Sequence, residues 1–141
     1  MKGSRPVARV NQTHSKFHVT GARSRRKFMV MFHKRQNQKN LIKFLKNLTK
    51  RGGRCVVVLD NAPWHKGRRV EEFLKRNKRM IKLIYFPKYS PEINPTEQCW
   101  KVMKEPLANR YLKTLPALEQ AVKKHLRTTF LLPKMFTYLC P

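Results

Sequence analysis

The sequence predicts an α/β fold, and three observations carry this prediction. Residues 55–59 form a short, unbroken and mostly β-branched apolar run, which is typical of a strand buried on both faces. A short helical pattern follows, and residues 80–86 read as a second strand, so that strand, helix and strand indicate a parallel crossover. Apolar residues at helical spacing over residues 38–50 and 114–127 predict flanking helices.

The amino-terminal half contains an arm, a hairpin and a helix. Residues 1–15 are rich in cations and read as a loose arm, although residues 5–10 have the composition of an edge strand. Two apolar runs, at residues 16–21 and 27–32, are separated by a Gly-Ala-Arg-Ser segment at 21–24, which predicts a β-hairpin. The helix at 38–50 is expected to end at Gly52 and Gly53.

The carboxyl-terminal half contains three shorter helices and a rigid loop. The Pro-Lys-Tyr-Ser-Pro segment at 87–91 reads as the loop, and Asn94 followed by Pro95 opens the next helix. The helices are predicted from their apolar positions, which are Val70, Phe73 and Leu74, then Trp100, Met103 and Leu107, then Leu118, Val122 and Leu126. We divide the chain into a basic arm or edge strand (1–15), a domain (16–108) and a carboxyl-terminal helix with an apolar tail (109–141).

The charge of the chain predicts a polyanionic partner. Lys and Arg number 33 and Asp and Glu seven, giving a formal charge of +26 over 141 residues, and a basic chain of this kind is suited to binding nucleic acid. No apolar run approaches the roughly 18 residues of a membrane span, and no secretion signal follows Met1. We therefore expect an intracellular protein, in the cytoplasm and associated with the nucleoid. The three widely spaced cysteines predict neither a disulfide framework nor a zinc site.

The acidic residues are confined to the second part of the chain. Residues 1–59 contain no Asp or Glu, and Asp60 is the sole Asp. Asp60 ends a predicted strand, where functional groups of open α/β sheets collect, although an Asp there also commonly caps a turn. Glu97 is the third residue after Asn94, where a capping-box glutamate is the alternative to a functional carboxylate. His65 is placed to face the same cleft as Asp60 or simply to be partly buried.

Two segments together resemble a known family. Leu-Asp60-Asn61-Ala-Pro-Trp-His65 and the later Pro-Lys-Tyr-Ser-Pro-Glu-Ile-Asn94-Pro-Thr-Glu97-Gln-Cys-Trp resemble the "LDNAxxH" and "PxYSPExNPxExxW" motifs of DDE transposases of the mariner-like insertion-sequence superfamily. The 36 residues between Asp60 and Glu97 fit the family's usual spacing. The similarity is specific over residues 54–104 and weaker but collinear from about residue 17, where the Thr-Gly-Ala at 20–22 also fits.

The resemblance implies an RNase H-like fold, a mixed sheet flanked by helices, with a carboxylate triad that holds two Mg²⁺ or Mn²⁺ ions for cutting DNA and joining it to a target. Asp60 would be the second catalytic, metal-binding carboxylate and Glu97 the third. Supporting roles would fall to Asn61, His65 and Asn94. Contacts to DNA are expected from six cations, Lys66, Arg68, Arg69, Lys88, Lys101 and Lys104.

The departure from the family pattern concerns the first carboxylate. The family carries it on a first, central strand upstream of the hairpin, and no acid precedes Asp60 here. Two divalent ions 4 Å apart repel by roughly 16 kcal/mol at an effective dielectric near 20, and two carboxylates neutralise them poorly. We therefore expect the carboxyl-terminal part of a transposase, without its helix-turn-helix region and its first strand, and inactive alone. Its expected partners are DNA, the missing amino-terminal part or an intact transposase, and further copies of itself.

Two other functions remain open from the residues. A basic nucleic-acid-binding protein without catalysis fits the charge, but gives no reason for the two motifs to occur together. The other open function is a regulatory fragment, which would block the intact transposase by competing for DNA or by forming mixed oligomers.

The absence of the central strand also predicts how the chain behaves in solution. A sheet without its central strand exposes two strand edges, so we expect poor solubility or oligomers unless residues 5–10 fill the gap.

Overall fold

The structure, a computed structural model, describes residues 16–25, 27–88, 93–107 and 114–128. Its strands are β1 (His18–Arg23), β2 (Phe28–His33), β3 (Cys55–Leu59) and β4 (Ile81–Tyr85). Its helices are α1 (Gln38–Gly52), α2 (Arg68–Arg76), α3 (Pro95–Lys104) and α4 (Leu115–Thr128), with short 3₁₀ turns at Pro63–His65 and Glu105–Leu107. The predicted α/β class is confirmed. None of the helices in these ranges is long and apolar enough to cross a membrane.

The hairpin forms as predicted, but its turn lies later in the chain. β1 and β2 pair antiparallel with Gly21 opposite Val30 and Arg23 opposite Phe28. The turn is closed by Ser24, whose backbone N–H donates to the Lys27 carbonyl at 2.8 Å. The prediction of a turn at residues 21–24 was therefore wrong, because Gly21 is a paired strand residue. Its missing side chain leaves room for the ring of Trp100.

The predicted parallel crossover joins β3 to β4 through α2. The two strands pair in register from Cys55 opposite Ile81 to Leu59 opposite Tyr85. Leu45 of α1 and Val70 of α2, each 1% exposed, pack on one face of this pair. This face is the first core, and it contains Leu41, Phe73, Cys55, Val57, Ile81 and Leu83 as well.

The opposite face of the β3–β4 pair differs from the prediction. β3 was expected to be buried on both faces, yet Val56 is 59% exposed and Val58 47% exposed, and Ile84 of β4 is exposed beside them. The expectation was wrong because α1 and α2 both pack on the same side, and no described element covers the other.

A second core lies between the hairpin, α3 and α4. Met103 and Val122 are buried there, and Trp100 packs edge-on against Phe28 with ring centroids 5.3 Å apart. A Cβ at Gly21 would lie 2.6 Å from the Trp100 ring. The helices at 95–104 and 115–128 thus use the apolar positions that the sequence predicts, except that Leu107 packs on this core from the 3₁₀ turn after α3.

The two sheets remain separate within the described residues, with strand orders β1–β2 and β3–β4. A cavity of about 1080 Å³ lies between them, lined by all five residues of β3 and five of the six residues of β1. Asp60 and Glu97 line the same cavity. The arm at 1–15 and the apolar tail after the last helix lie outside the described residues, and the division into 1–15, 16–108 and 109–141 stays a prediction.

Candidate functional site at the end of β3

Asp60 follows the last residue of β3, and its side chain is 62% exposed. Its Oδ1 accepts from the backbone N–H of Ala62 at 3.1 Å and lies 2.7 Å from Nδ1 of His65. The first contact is the turn-capping bond expected of an Asp at this position. Since both contacts use Oδ1, Oδ2 has no hydrogen-bond partner in the described part of the chain.

His65 is held against Asp60 by its position in the 3₁₀ turn Pro63–His65. Its side chain is only 13% exposed, and Nδ1 also lies 3.1 Å from the backbone carbonyl of Asp60. The ring of Trp64 packs edge-on against the imidazole, with centroids 5.8 Å apart. Both sequence interpretations of His65 are therefore correct, because it is partly buried and also contacts the candidate carboxylate.

Asn61 ties the carboxyl ends of β3 and β4 together. Its Nδ2 donates to the carbonyl of Phe86 at 2.7 Å, and its Oδ1 accepts from Nζ of Lys66 at 2.7 Å. The ammonium of Lys66 also lies 5.0 Å from the centre of the Tyr85 ring. Asn61 thus supports the loop that carries Asp60, as a hydrogen-bonding residue rather than as a ligand.

Tyr85 and Gln38 are supporting residues that sequence reasoning missed. Burial, with a smaller effect of the Glu71 carboxylate, raises the pKa of Tyr85, so its hydroxyl stays protonated and donates to the His65 carbonyl at 2.9 Å. Gln38 donates to the Lys66 carbonyl at 2.8 Å. Gly67, at φ +112°, leaves the room that Gln38 needs, because a Cβ there would lie 2.6 Å from Nε2. No local pattern signals contacts between residues 20 or more positions apart.

Asn94 starts α3 as predicted. Its Oδ1 accepts from the backbone N–H of Thr96 at 3.1 Å and from the Thr96 hydroxyl at 2.6 Å, and Pro95 occupies the first turn. Glu97 lies in that turn and is exposed. Among the described residues its carboxylate makes no hydrogen bond or ion pair, so the capping-box alternative for Glu97 is not what the structure shows.

Four of the predicted site residues line the cavity between the sheets, namely Asp60, His65, Asn94 and Glu97. Asn61 lies beside it rather than in its lining. Within α3, Cys99 is fully buried, and its thiol accepts from Arg23 Nη1 at 3.7 Å. Burial raises the pKa of Cys99 despite the opposing effect of Arg23, which suits a packing role.

The six predicted DNA-contacting cations all have exposed side chains, but none lines the cavity. Lys66 and Arg68 are among those that already have a side-chain partner. Lys66 holds Asn61, and Nε of Arg68 lies 2.8 Å from Glu72 one helical turn away, although that pair is largely solvated. Arg69, Lys101 and Lys104 are exposed on α2 and α3.

The described side chains do not supply enough ligands for the predicted pair of divalent ions. Mg²⁺ binds oxygen ligands and is usually held through carboxylates. Within residues 16–25, 27–88, 93–107 and 114–128, no group of three His, Cys, Asp or Glu side chains is placed to hold a metal ion. Asp60 and Glu97 therefore do not form a complete two-ion site with the other described residues.

Comparison with known proteins identifies the family to which this sequence belongs. A family model described as "DDE superfamily endonuclease" matches residues 1–119. An uncharacterised 39 kDa protein of insertion element IS630 from Shigella sonnei is 31% identical over 72 residues, which are 51% of this chain and 21% of that protein. An uncharacterised protein of Sinorhizobium fredii is 40% identical over 63 residues, 44% of this chain and 43% of that protein.

Each match therefore spans less than half of the relative's length. Among solved structures, a chain of a simian T-cell lymphotropic virus intasome in complex with a PP2A regulatory subunit has a TM-score of 0.47 and 15% identity. That alignment covers 75% of this chain and 45% of the other. Because the family model matches most of the sequence, including the segments around Asp60 and Glu97, the chain belongs to the DDE superfamily endonucleases.

Proposed function

We propose that this chain is part of a DDE transposase and supplies the second and third carboxylates, Asp60 and Glu97, for cutting DNA and joining it to a target. The observation that carries the proposal is that both residues, with 36 residues between them in sequence, line the cavity between the two sheets. Family membership supports the reaction class.

The chain alone does not catalyse this reaction in our proposal. Transfer between phosphodiesters with two metal ions needs ligands that fix both ions on either side of the reacting phosphate. Asp60 and Glu97 are two carboxylates, and the surrounding charge of +26 disfavours bound cations further. The first carboxylate of the triad comes from another segment or another chain, and with it Mg²⁺ or Mn²⁺ would bind as a pair.

This chain's own residues would prepare the site for that event. His65 and the Ala62 N–H hold Oδ1 of Asp60 and so leave Oδ2 for a ligand. Asn94 fixes the start of α3 and thereby the position of Glu97. Exposed cations on α2 and α3 contact the DNA backbone, which gives affinity without sequence information. We place the protein in the cytoplasm, on DNA, in an assembly with an intact transposase or with further copies.

A nicking assay tests the proposal. The substrate is DNA that carries the element's ends, with Mg²⁺ or Mn²⁺, and the chain is compared with a version completed by an acid-bearing strand, fused upstream or added as a peptide. We expect no cleavage by the chain and metal-dependent nicking by the completed protein. Metal-dependent cleavage by the purified chain, lost in Asp60→Ala, would show that the missing first carboxylate is not needed.

A regulatory fragment is the second candidate function. The incomplete donor set of the described residues and the exposed apolar face of Val56, Val58 and Ile84 favour it, because such a chain binds DNA or transposase without turnover. The same assay separates the two functions. A regulatory fragment added to intact transposase lowers the nicking rate, and the completed protein stays inactive.

A further inference from the structure

Most aromatic side chains of the described residues are fixed by packing or by a hydrogen bond. Phe44 and Phe73 are buried, with 3% and 7% of their surface exposed. Tyr85 donates its hydroxyl to a backbone carbonyl. Four more pack in the second core, and these are Phe17, Phe28, Phe32 and Trp100. The rings of Trp64 and Phe86 remain, and both are half-buried and belong to neither core.

Both remaining rings follow the carboxyl end of a strand of the β3–β4 pair. Trp64 lies in the 3₁₀ turn Pro63–His65 after β3, and Phe86 comes directly after β4. Both residues line the cavity between the sheets, as Asp60 and Glu97 do. The aromatic surface that the two cores do not use therefore borders the same cavity as the candidate carboxylates.

The indole of Trp64 keeps surface on which a flat ligand can stack. Its ring packs edge-on against the His65 imidazole, with an angle of 80° between the planes. A T-shaped contact of this kind covers at most one face of the indole. Because Trp64 is half-buried and lines the cavity, part of its surface is accessible from the cavity.

The backbone holds both rings in fixed positions. Two backbone hydrogen bonds, of 2.9 and 3.3 Å, close the turn that carries Trp64. The N–H of Phe86 donates to the Leu59 carbonyl at 2.9 Å, and its carbonyl accepts from Asn61 at 2.7 Å. An aromatic side chain has only two torsions to fix, so rings on a rigid backbone lose little conformational entropy when they bind a ligand.

We propose that Trp64 and Phe86 stack on unpaired nucleobases of the DNA strand that enters the cavity. Every base has a flat π-face, so stacking on aromatic rings tolerates any sequence. Bases inside a duplex already stack on their neighbours, so the rings take up only an unpaired or flipped base. The cavity is also lined by cations that suit the phosphates of that strand, and these are Arg23, Lys27 and Arg51.

The proposal deepens the proposed function, on which it rests, by naming the form of DNA that the cavity takes. Phosphate contacts from the exposed cations hold a duplex and a single strand alike. Stacking on Trp64 and Phe86 adds affinity for the single strand alone. A structural role for Trp64, limited to packing against His65, makes the opposite prediction, because loss of the ring would then affect both forms of DNA equally.

Photocrosslinking tests the stacking in the unmodified chain. A single-stranded oligonucleotide in which 5-iodouracil replaces thymine is irradiated with the protein in the absence of divalent metal, because iodouracil reacts preferentially with an aromatic side chain stacked on it. Mass spectrometry of the digested protein locates the crosslinks. We expect them at Trp64 and Phe86. Crosslinks confined to other residues would overturn the proposal.

Variants test whether the rings select unpaired bases. Fluorescence anisotropy compares a single strand with a duplex of the same sequence. Trp64→Leu should weaken single-strand binding at least about fivefold and duplex binding less than about twofold, and Phe86→Leu should act in the same way. Trp64→Phe keeps a ring and should restore most of the single-strand affinity. Equal losses for both forms of DNA, or unchanged single-strand affinity in both leucine variants, would contradict the proposal.

A buried ring provides the matched control. Phe73→Leu makes the same substitution in the first core, where it should lower stability while leaving the affinity for both forms of DNA unchanged at a temperature where the variant is folded. Circular dichroism checks the folding of each variant, and the crosslinking result stands if Trp64→Leu does not fold.

Failure of this proposal is distinguishable from failure of the proposed function, because neither experiment involves cleavage. A completed protein that does not nick DNA would contradict the proposed function and leave the crosslinks and affinities as they are. Metal-dependent nicking without crosslinks at Trp64 or Phe86 would contradict the stacking alone.

Discussion

The Nδ1 atom of His65 lies 2.7 Å from Oδ1 of Asp60, on the same oxygen that accepts the Ala62 N–H. One side of the carboxylate is therefore fixed by the turn that follows β3, and Asp60 also lines the cavity. Because the imidazole is nearly buried, it keeps its position against the acid. The arrangement orients the carboxylate before any ligand arrives.

The contact between Gly21 and Trp100 predicts a large difference between two glycines. Gly21→Ala would place a methyl group 2.6 Å from ring atoms of Trp100, so the free energy of unfolding should fall by about 1–3 kcal/mol. Gly52→Ala is the matched control, because nothing lies within 4 Å of its Cβ at the end of α1, and it should be neutral or slightly stabilising. Urea denaturation measures both, and equal losses would contradict the packing of β1 on α3.

The sequence predicted a helix or strand correctly where a single local pattern, such as the spacing of apolar residues, determines it. The spacing of Leu41, Phe44 and Leu45 and the Gly52-Gly53 pair located α1, and Gly53 indeed ends the helix with a φ of +71°. The hairpin turn was misplaced because Gly21 looks like a turn residue, whereas its contact with Trp100 lies 79 positions away. Such long-range contacts leave no local signal.

For the candidate site, the sequence motifs named the residues but did not show which faces of the neighbouring strand are covered. The motifs located Asp60, His65, Asn94 and Glu97, all of which line the cavity. The exposure of Val56 and Val58 was not predictable, because an apolar run shows only that a strand can be buried. Whether each face is covered depends on helices elsewhere in the chain.

The bonds of Asn61 predict a stability effect. Asn61→Ala removes the bond to the Phe86 carbonyl and leaves Lys66 without its amide partner. The free energy of unfolding should fall by about 1–2 kcal/mol, the cost of leaving a partly buried group unsatisfied. Asn47→Ala in α1 is the control and should change stability by less than about 0.5 kcal/mol. Equal effects of the two substitutions in thermal or urea unfolding would mean that Asn61 does not join β3 to β4.

The charge distribution predicts salt-dependent DNA binding with little sequence preference. Residues 1–60 carry a net charge of +15, from 16 cations and Asp60. Each phosphate contact adds about 0.9 to the slope of log K against log salt, so several contacts make binding fall steeply. Fluorescence anisotropy with unrelated duplexes measures this. Strong preference for one site, or affinity that hardly changes between low and moderate salt, would contradict it.

Paired charge reversals locate the DNA-binding face. Lys101→Glu with Lys104→Glu alters α3, which begins beside the cavity, and should weaken binding at least tenfold and flatten the salt slope by about two. Lys43→Glu with Lys46→Glu makes the same charge change on α1, and all four lysines are exposed. This control should weaken binding less. A larger effect on α1 would place the DNA on the opposite side of the molecule.

Substitutions of Asp60 and Glu97 should differ in effect from a substitution of Glu92, the third acid of the two motif segments. In the completed protein, Asp60→Ala and Glu97→Ala should each abolish metal-dependent nicking, because each removes a carboxylate that lines the cavity. Glu92→Ala should have a much smaller effect, since Glu92 belongs to the loop that the sequence predicts before the Asn94 cap. Glu92 itself is not among the described residues. Asp60→Asn and Glu97→Gln keep the shape of the side chains, so circular dichroism and DNA affinity should remain unchanged while nicking is lost. If Glu97→Gln retained full activity, Glu97 would not be the third catalytic carboxylate.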